Sequence, residues 1–272
     1  MHQWRRLTAQ APLIFLISLG SNMSRKIILG FLVATSALLV GCSDDKAANV
    51  VKVAVSPASP PMLYEQDSKI KGVDYDIFSA YCQSRGCTMD ITAYDWQGML
   101  GAVSSGQADV AFSGISITDS RKQAMDFSKP YYDNTWYLVA LTKNAKPITD
   151  LATLKPLRIG YPRGMAYANL IKNELEPKGY YSLSQVQLYP TYTEVVTDLQ
   201  NGNLDLAFIE KPVLNDYINR LKLPIESVYA FTGKDVLGFA FAKGSDRRDD
   251  FDKFLVELGT DKLQEIITNA SK

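Results

Sequence analysis

Four side chains able to hold an anion, Ser113, Ser116, Thr118 and Arg121, crowd the stretch Phe112–Tyr132, FSGISITDSRKQAMDFSKPYY. A buried-looking strand, Asp109–Phe112, leads into them. Thr118 and Asp119 are good helix N-caps, so Arg121 is expected in or near the first turn of a short helix. Backbone N–H groups at a helix start, two or three hydroxyls and a guanidinium fork together make a carboxylate receptor. The same residues also suit a capped surface helix with a solvated arginine. Local chemistry alone weighs the two evenly.

The elements that must position this stretch occur twice. Trp96–Gly114 reads WQGMLGAVSSGQADVAFSG and Tyr192–Glu210 reads YTEVVTDLQNGNLDLAFIE, and they align without a gap. An aromatic opens each. Apolar residues follow at helical spacing (Met99, Leu100, Val103; Val195, Val196, Leu199), and Gly106 and Gly202 stop the helices. Asp109 and Asp205 then precede short apolar strands. A helix stopped by glycine and followed by a buried strand is an α/β unit. Two copies predict two similar α/β lobes whose strand ends face a shared crevice, where open α/β sheets bind ligands. A chance match between two ordinary helix–strand units is the alternative.

Around the repeat, strands are predicted at Lys52–Val55, Thr88–Tyr94, Arg158–Tyr161 and Val236–Ala242, and a β-rich crossing run at Thr135–Thr142. Helices are predicted from Gly72–Asp76 through Cys82, over Ala166–Leu175, and over Phe251–Ile267. Ser56–Pro61 reads as a turn.

Composition excludes several classes. The single histidine is His2, so the rest of the chain has no Ser-His-Asp or Cys-His triad and no histidine metal site. No phosphate loop or paired-cysteine zinc pattern occurs. No metal or cofactor is expected. Met23-Ser24-Arg25-Lys26 is a basic segment, Ile27–Val40 an apolar one too short to span a bilayer comfortably, and Leu39-Val40-Gly41-Cys42 resembles a lipobox. Residues 1–41 are therefore expected to be a signal peptide, with Met23 the expected true start, and Cys42 the acylated residue. Residues 42–50 would form a polar tether to the lipid bilayer. Removing Arg5, Arg6, Arg25 and Lys26 leaves 25 of the 29 bases against all 29 acids, a net of −4. No basic run argues for nucleic acid. Cys82 and Cys87 remain as an even pair near the end of a predicted helix, expected as a local disulfide in an oxidising compartment, with two free buried thiols as the alternative.

Strand, S-G-x-S-x-T-x-x-R and then F-S-x-P-Y-Y resemble the hallmark of the family-3 extracellular solute-binding proteins, the periplasmic polar amino-acid-binding proteins of ABC importers. Gly72–Asp76, G-V-D-Y-D, is similar to the family's G-F-D-x-D. The resemblance covers nearly all of Val51–Asn269. It implies a two-lobed α/β fold of the type II periplasmic-binding-protein kind. Lobe 1 would comprise 51–134 plus 234–272 and lobe 2 135–233, with a two-segment hinge near Tyr132–Trp136 and Thr232–Asp235.

The resemblance also implies a ligand set. Arg121 and Ser116 would take the ligand carboxylate, and Ser113 and Gly114 the ammonium. Trp96 would stack on the side chain, a role its polar neighbours Asp95 and Gln97 favour over the alternative of a core tryptophan at a helix start. Gly164 and Ala166 match the second-lobe Gly-Ser/Thr-Thr but lack both hydroxyls. Glu210 matches the usual aspartate that pairs with the ammonium and is one methylene longer. Asp74 matches a widespread acid that is either an extra ligand carboxylate or a helix cap. The usual D-x-x-Y loop has serine at both places here, Ser56 and Ser59, which weakens a basic-side-chain reading.

The expected protein is thus a monomeric, lipid-anchored receptor on the periplasmic face of the envelope. It would capture a free polar amino acid for an ABC permease and would not be an enzyme. Two alternatives share the scaffold: a periplasmic enzyme similar to cyclohexadienyl dehydratase, with Glu210 as general acid, and a sensory module that signals occupancy to a partner.

Overall fold

The computed structural model describes Asn49–Ala270; the signal-peptide, start-site and Cys42 expectations lie outside the described residues. Two five-stranded sheets are built on one plan. The first runs Cys87–Ala93, Asn49–Val55, Val110–Phe112, Ala240–Ala242, Met125–Phe127. The second runs Gln187–Tyr189, Ile159–Pro162, Leu206–Glu210, Tyr132–Leu141, Ile225–Leu237. In each, three parallel strands are followed by two added antiparallel.

The repeat seen in the sequence is a repeat in space. Helices Trp96–Ser104 and Tyr192–Gln200 are N-capped by Asp95 and Thr191. Each is followed by a glycine in the left-handed region, Gly106 at φ 75° and Gly202 at φ 76°, where glycine pays no Cβ penalty. Asp109 and Asp205 then do the same work. Each carboxylate accepts a backbone N–H at the neighbouring first strand, from Lys52 within Asn49–Val55 and from Arg158 just before Ile159–Pro162, both at 2.8 Å. These latches set the register of Val110–Phe112 and Leu206–Glu210 against their neighbours.

The first lobe packs around Phe78, Phe112, Phe239 and Phe251, with the Phe239 and Phe251 ring centroids 4.6 Å apart. The second packs around Tyr161, Tyr167, Phe208 and Phe231. The fold is the expected type II arrangement: two α/β lobes joined by two crossing strands. Tyr132–Leu141 and Ile225–Leu237 lie antiparallel, from Leu237 opposite Tyr132 to Ile225 opposite Leu141. Their ladder breaks between Phe231 and Asp235, leaving Thr232–Lys234 as a bulge with Gly233 at φ 66°. Cys82 and Cys87 form the expected local disulfide around Gly86, which ends helix Val73–Arg85 in the left-handed region.

Four expectations are corrected. The strand predicted at Val236–Ala242 is two, because the chain changes sheets at Gly238; that glycine lies against Ile117, whose Cδ1 would be 2.7 Å from an added Cβ. The helix predicted at Phe251–Ile267 is also two, Asp246–Leu258 and Thr260–Ala270, broken by Gly259 at φ 76°. Ala166–Leu175 is a short α-turn, Tyr167–Leu170, widening into a π-turn, Ile171–Leu175. The Ser56–Pro61 turn contains the strand Ala58–Ser59, which joins Leu63–Gln66 and Lys69–Lys71 in a small third sheet.

Candidate functional site

The strand Val110–Phe112 delivers Ser113 and Gly114 to the edge of the cleft. Gly114 sits at φ 65° and donates its N–H to Asp74 Oδ2 at 2.6 Å. The other Asp74 oxygen accepts the Tyr131 hydroxyl. Asp74, in the first turn of helix Val73–Arg85, is 1% exposed. Burial raises its carboxyl to about 7, against the two hydrogen bonds, which act to lower it. The Ser113 hydroxyl donates to the Ser56 carbonyl. Asp74, Gly114, Ser113 and Ser56 thus form one brace that fixes the loop leading to Arg121.

Arg121 lies in the four-residue helix Asp119–Lys122, capped by Thr118 as the sequence implied; Thr118 Oγ1 accepts the Arg121 N–H at 3.2 Å. The guanidinium is half-buried. Its Nη1 donates to the Ser116 carbonyl at 2.7 Å, and its Nη2 reaches across to the Gly164 carbonyl at 3.0 Å. Trp96 Nε1 donates to the same Gly164 carbonyl at 3.2 Å, and the guanidinium lies 5.5 Å from the Trp96 ring centroid. Desolvation lowers the Arg121 pKa to about 10, opposed by the charges of Asp235 and Glu210. Gly164, at φ 82°, allows this approach. A Cβ there would stand 2.1 Å from Gln97 Nε2 and 3.0 Å from Trp96 Cδ1.

Glu210 ends the strand Leu206–Glu210 and is 5% exposed. Tyr192 donates to Oε1 at 2.8 Å and Asn134 Nδ2 to Oε2 at 3.0 Å; the Tyr192 hydroxyl also pairs with that of Tyr167 at 2.6 Å. Burial raises the Glu210 pKa to about 8, with the nearby Asp235 charge adding to the shift. Asp235, at the end of the crossing-strand bulge, has three donors on Oδ2: Asn134 Nδ2 at 2.7 Å, Trp136 Nε1 at 2.8 Å and Ser116 Oγ at 3.2 Å. Its pKa is also raised by burial. Asn134 therefore bridges two buried carboxylates, and Ser116 joins the Arg121 loop to them.

The structure brings Arg121, Ser116, Trp96 and Gly164 into one contact group and Glu210 into the adjoining acid network. Ser113, Gly114 and Asp74 form the brace behind. Ala166 is buried in the second core, just before the turn Tyr167–Leu170. Sequence reasoning missed Asp235, Asn134 and Tyr192. Tyr192 had a signal, since it aligns with Trp96 in the repeat; Asp235 and Asn134 had none beyond lying in the two expected hinge segments. Next to these groups a cleft of ≈ 390 Å³ opens between the lobes, walled by Trp96 and Tyr94 on one side and Tyr189 and Tyr192 on the other.

Paired lobes, crossing strands, and a cation and an acid at the cleft define a two-lobed solute-binding protein. More narrowly, the chain belongs to the bacterial extracellular solute-binding proteins, family 3, whose model matches residues 51–269. A probable histidine-binding protein of Campylobacter jejuni is 27% identical over 253 residues, 87% of this chain and 94% of that one. The crystal structure of AbpA, an amino-acid ABC transporter substrate-binding protein of Streptococcus pneumoniae bound to L-arginine, superposes with a TM-score of 0.72 at 25% identity, covering 82% of this chain and 94% of that one. The ancestral amino-acid-binding protein AncCDT-1, a precursor of cyclohexadienyl dehydratase, shares the fold with a TM-score of 0.70 at 21% identity, covering 82% and 96%.

Proposed function

We propose that the protein is the substrate-binding component of an ABC-type importer and captures a free amino acid between its lobes. The supporting observation is the charge placement. Arg121 approaches the cleft from one lobe and Glu210 from the other, with a side-chain cavity beside them. An α-amino acid is a zwitterion and needs that pair. Arg121 takes the carboxylate, and Ser116 joins it by turning its one hydroxyl hydrogen from Asp235 to the ligand; Glu210, supported by Tyr192 and Asn134, takes the ammonium. Asp74 serves as the brace for the Gly114 loop. Lobe 1 is assigned to 51–134 plus 234–272 and lobe 2 to 135–233. In this reading Cys42 is acylated and holds the protein at the periplasmic face, where an ABC permease collects the ligand.

The test is a thermal-shift screen of the refolded, ligand-stripped protein against free amino acids, repeated with Arg121→Ala. A ligand at about 100 times its dissociation constant stabilises by about 2.7 kcal/mol. One or a few clear hits, lost in the variant, support the reading; hits that survive in Arg121→Ala overturn the carboxylate assignment.

One observation favours a second reading. A buried Glu210 raised to about 8 is largely protonated at neutral pH and so fits a general acid. An enzyme of the cyclohexadienyl dehydratase kind would convert prephenate or arogenate, and turnover of either, abolished by Glu210→Gln, would establish it.

A further inference from the structure

The walls of the cleft restrict which side chain it accepts, given that the amino-acid reading above holds. At ≈ 390 Å³ the space lies at the lower end of small-molecule sites, enough for one amino acid and too small for an extended peptide. Four aromatic rings line it: Tyr94 and Trp96 from one lobe, Tyr189 and Tyr192 from the other. Two of these rings have their polar ends turned elsewhere. The Tyr189 hydroxyl donates to Asp198 at 2.8 Å and the Tyr192 hydroxyl to Glu210 at 2.8 Å, so the cleft meets ring surface. Trp96 has its N–H committed to the Gly164 carbonyl.

The charges point the same way. Among the described residues lining the cleft, the one carboxylate is Asp95. It is exposed and its Oδ1 already caps helix Trp96–Ser104 through the Gly98 N–H at 2.6 Å. The other charged lining residue is Arg163, also exposed, and Arg121 lies against the Trp96 ring. A guanidinium or ammonium side chain would leave water for a space whose one lining carboxylate, Asp95, is exposed and turned to its helix cap, and whose nearer acid, Glu210, is claimed by the ligand ammonium, with two arginines close by. Aromatic faces attract cations by roughly 0.5–2 kcal/mol, which does not offset burying an unpaired charge beside like charges. Ser56 and Ser59, both buried, offer hydroxyls there and no charge.

We propose that the cleft selects an amino acid with a large uncharged side chain, foremost an aromatic one, over the basic amino acids. The rings supply offset and edge-to-face partners for a ring-bearing guest. The hydroxyls of Ser56 and Ser59 can meet a phenol or indole N–H.

Calorimetric titration of the refolded protein with L-phenylalanine, L-tyrosine, L-tryptophan and L-methionine, alongside L-arginine, L-lysine and L-histidine, tests this. The expected result is at least roughly tenfold tighter binding of an aromatic amino acid than of any basic one. Tyr94→Ala should weaken the aromatic ligand by about tenfold. Ala58→Asp, at an exposed cleft position, should raise affinity for L-arginine or L-lysine by about tenfold in a variant that keeps the wild-type circular-dichroism spectrum. If a basic amino acid binds tightest in the wild type, this proposal is overturned while the receptor reading stands. If none of the twenty amino acids binds a folded protein, both fall.

Discussion

Trp96–Gly114 and Tyr192–Glu210 are the same unit with opposite chemistry at the end. Both have a capped helix, a left-handed glycine and an aspartate gripping the first strand at 2.8 Å. In the first lobe the strand then opens into a braced loop that carries Ser116 and Arg121. In the second it ends on Glu210 and passes straight into helix Lys211–Asn219. The difference shows where a repeated scaffold places its function. The framework residues play equivalent parts in the two lobes, and the charge presented to the cleft is set where each strand ends.

The comparison breaks most sharply at Arg121. Arg121→Ala removes charge-assisted donors worth roughly 1.5–3 kcal/mol each. Ligand affinity should fall at least about a hundredfold while the circular-dichroism spectrum and cooperative unfolding are kept. Glu210, its counterpart, should show itself through protons. A carboxyl held near 8 must ionise to meet an ammonium, so binding at pH 7 should release a proton, seen as a binding enthalpy that varies with buffer ionisation heat. Glu210→Gln should abolish that release. The sign for stability comes from the same shift. A carboxyl raised above its unfolded value of 4.5 favours the folded state fully below about 4.5, and this contribution is lost as pH rises to about 8. Urea midpoints of the unliganded protein should therefore fall over that window, less steeply in Glu210→Gln.

A smaller effect is expected at the meeting point of the two units. Gly164→Ala forces an L-residue into the left-handed region, about 1–2 kcal/mol, and pushes its Cβ onto Gln97 and Trp96. It should lower affinity about tenfold and leave the separate lobes intact. The smallest effects test the shared framework. Asp109→Ala should cost about 1 kcal/mol in urea unfolding through one lost hydrogen bond. Asp205→Ala should cost more, because its carboxylate also holds the Arg158 guanidinium at 2.8 Å. Equal losses would mean that the latches, not the ion pair, carry the interaction.

Much of the fold, and part of the site, is legible in the amino-acid sequence. The repeat can be read because helix period, glycine stop and strand all act locally. Thr118 and Arg121 can be placed because capping is a matter of a few adjacent residues. Asp235 is not legible: its role depends on Asn134, Trp136 and Ser116, which come together only when the two distant crossing strands pair. The break at Gly259 carries the same glycine signal as Gly106 and Gly202, but the apolar spacing that continues on either side masks it. Apart from Tyr192, which aligns with Trp96 in the repeat, the tyrosines and prolines of the cleft wall are unreadable for the same reason as Asp235, the wall being gathered from four separate segments.

The bulge at Thr232–Lys234, the longer of two irregularities in their ladder, gives the crossing strands the mechanics of a leaf spring with a thin section. Apart from a one-residue shift between Ser227 and Tyr229, the two strands are otherwise laced together and resist shear. At that section one strand has slack, so flexing is expected to concentrate there, with each lobe moving as a unit. A pair of spin labels, one per lobe, would show two discrete separations exchanging in weight with ligand, and deleting Gly233 would stiffen the spring and freeze the exchange.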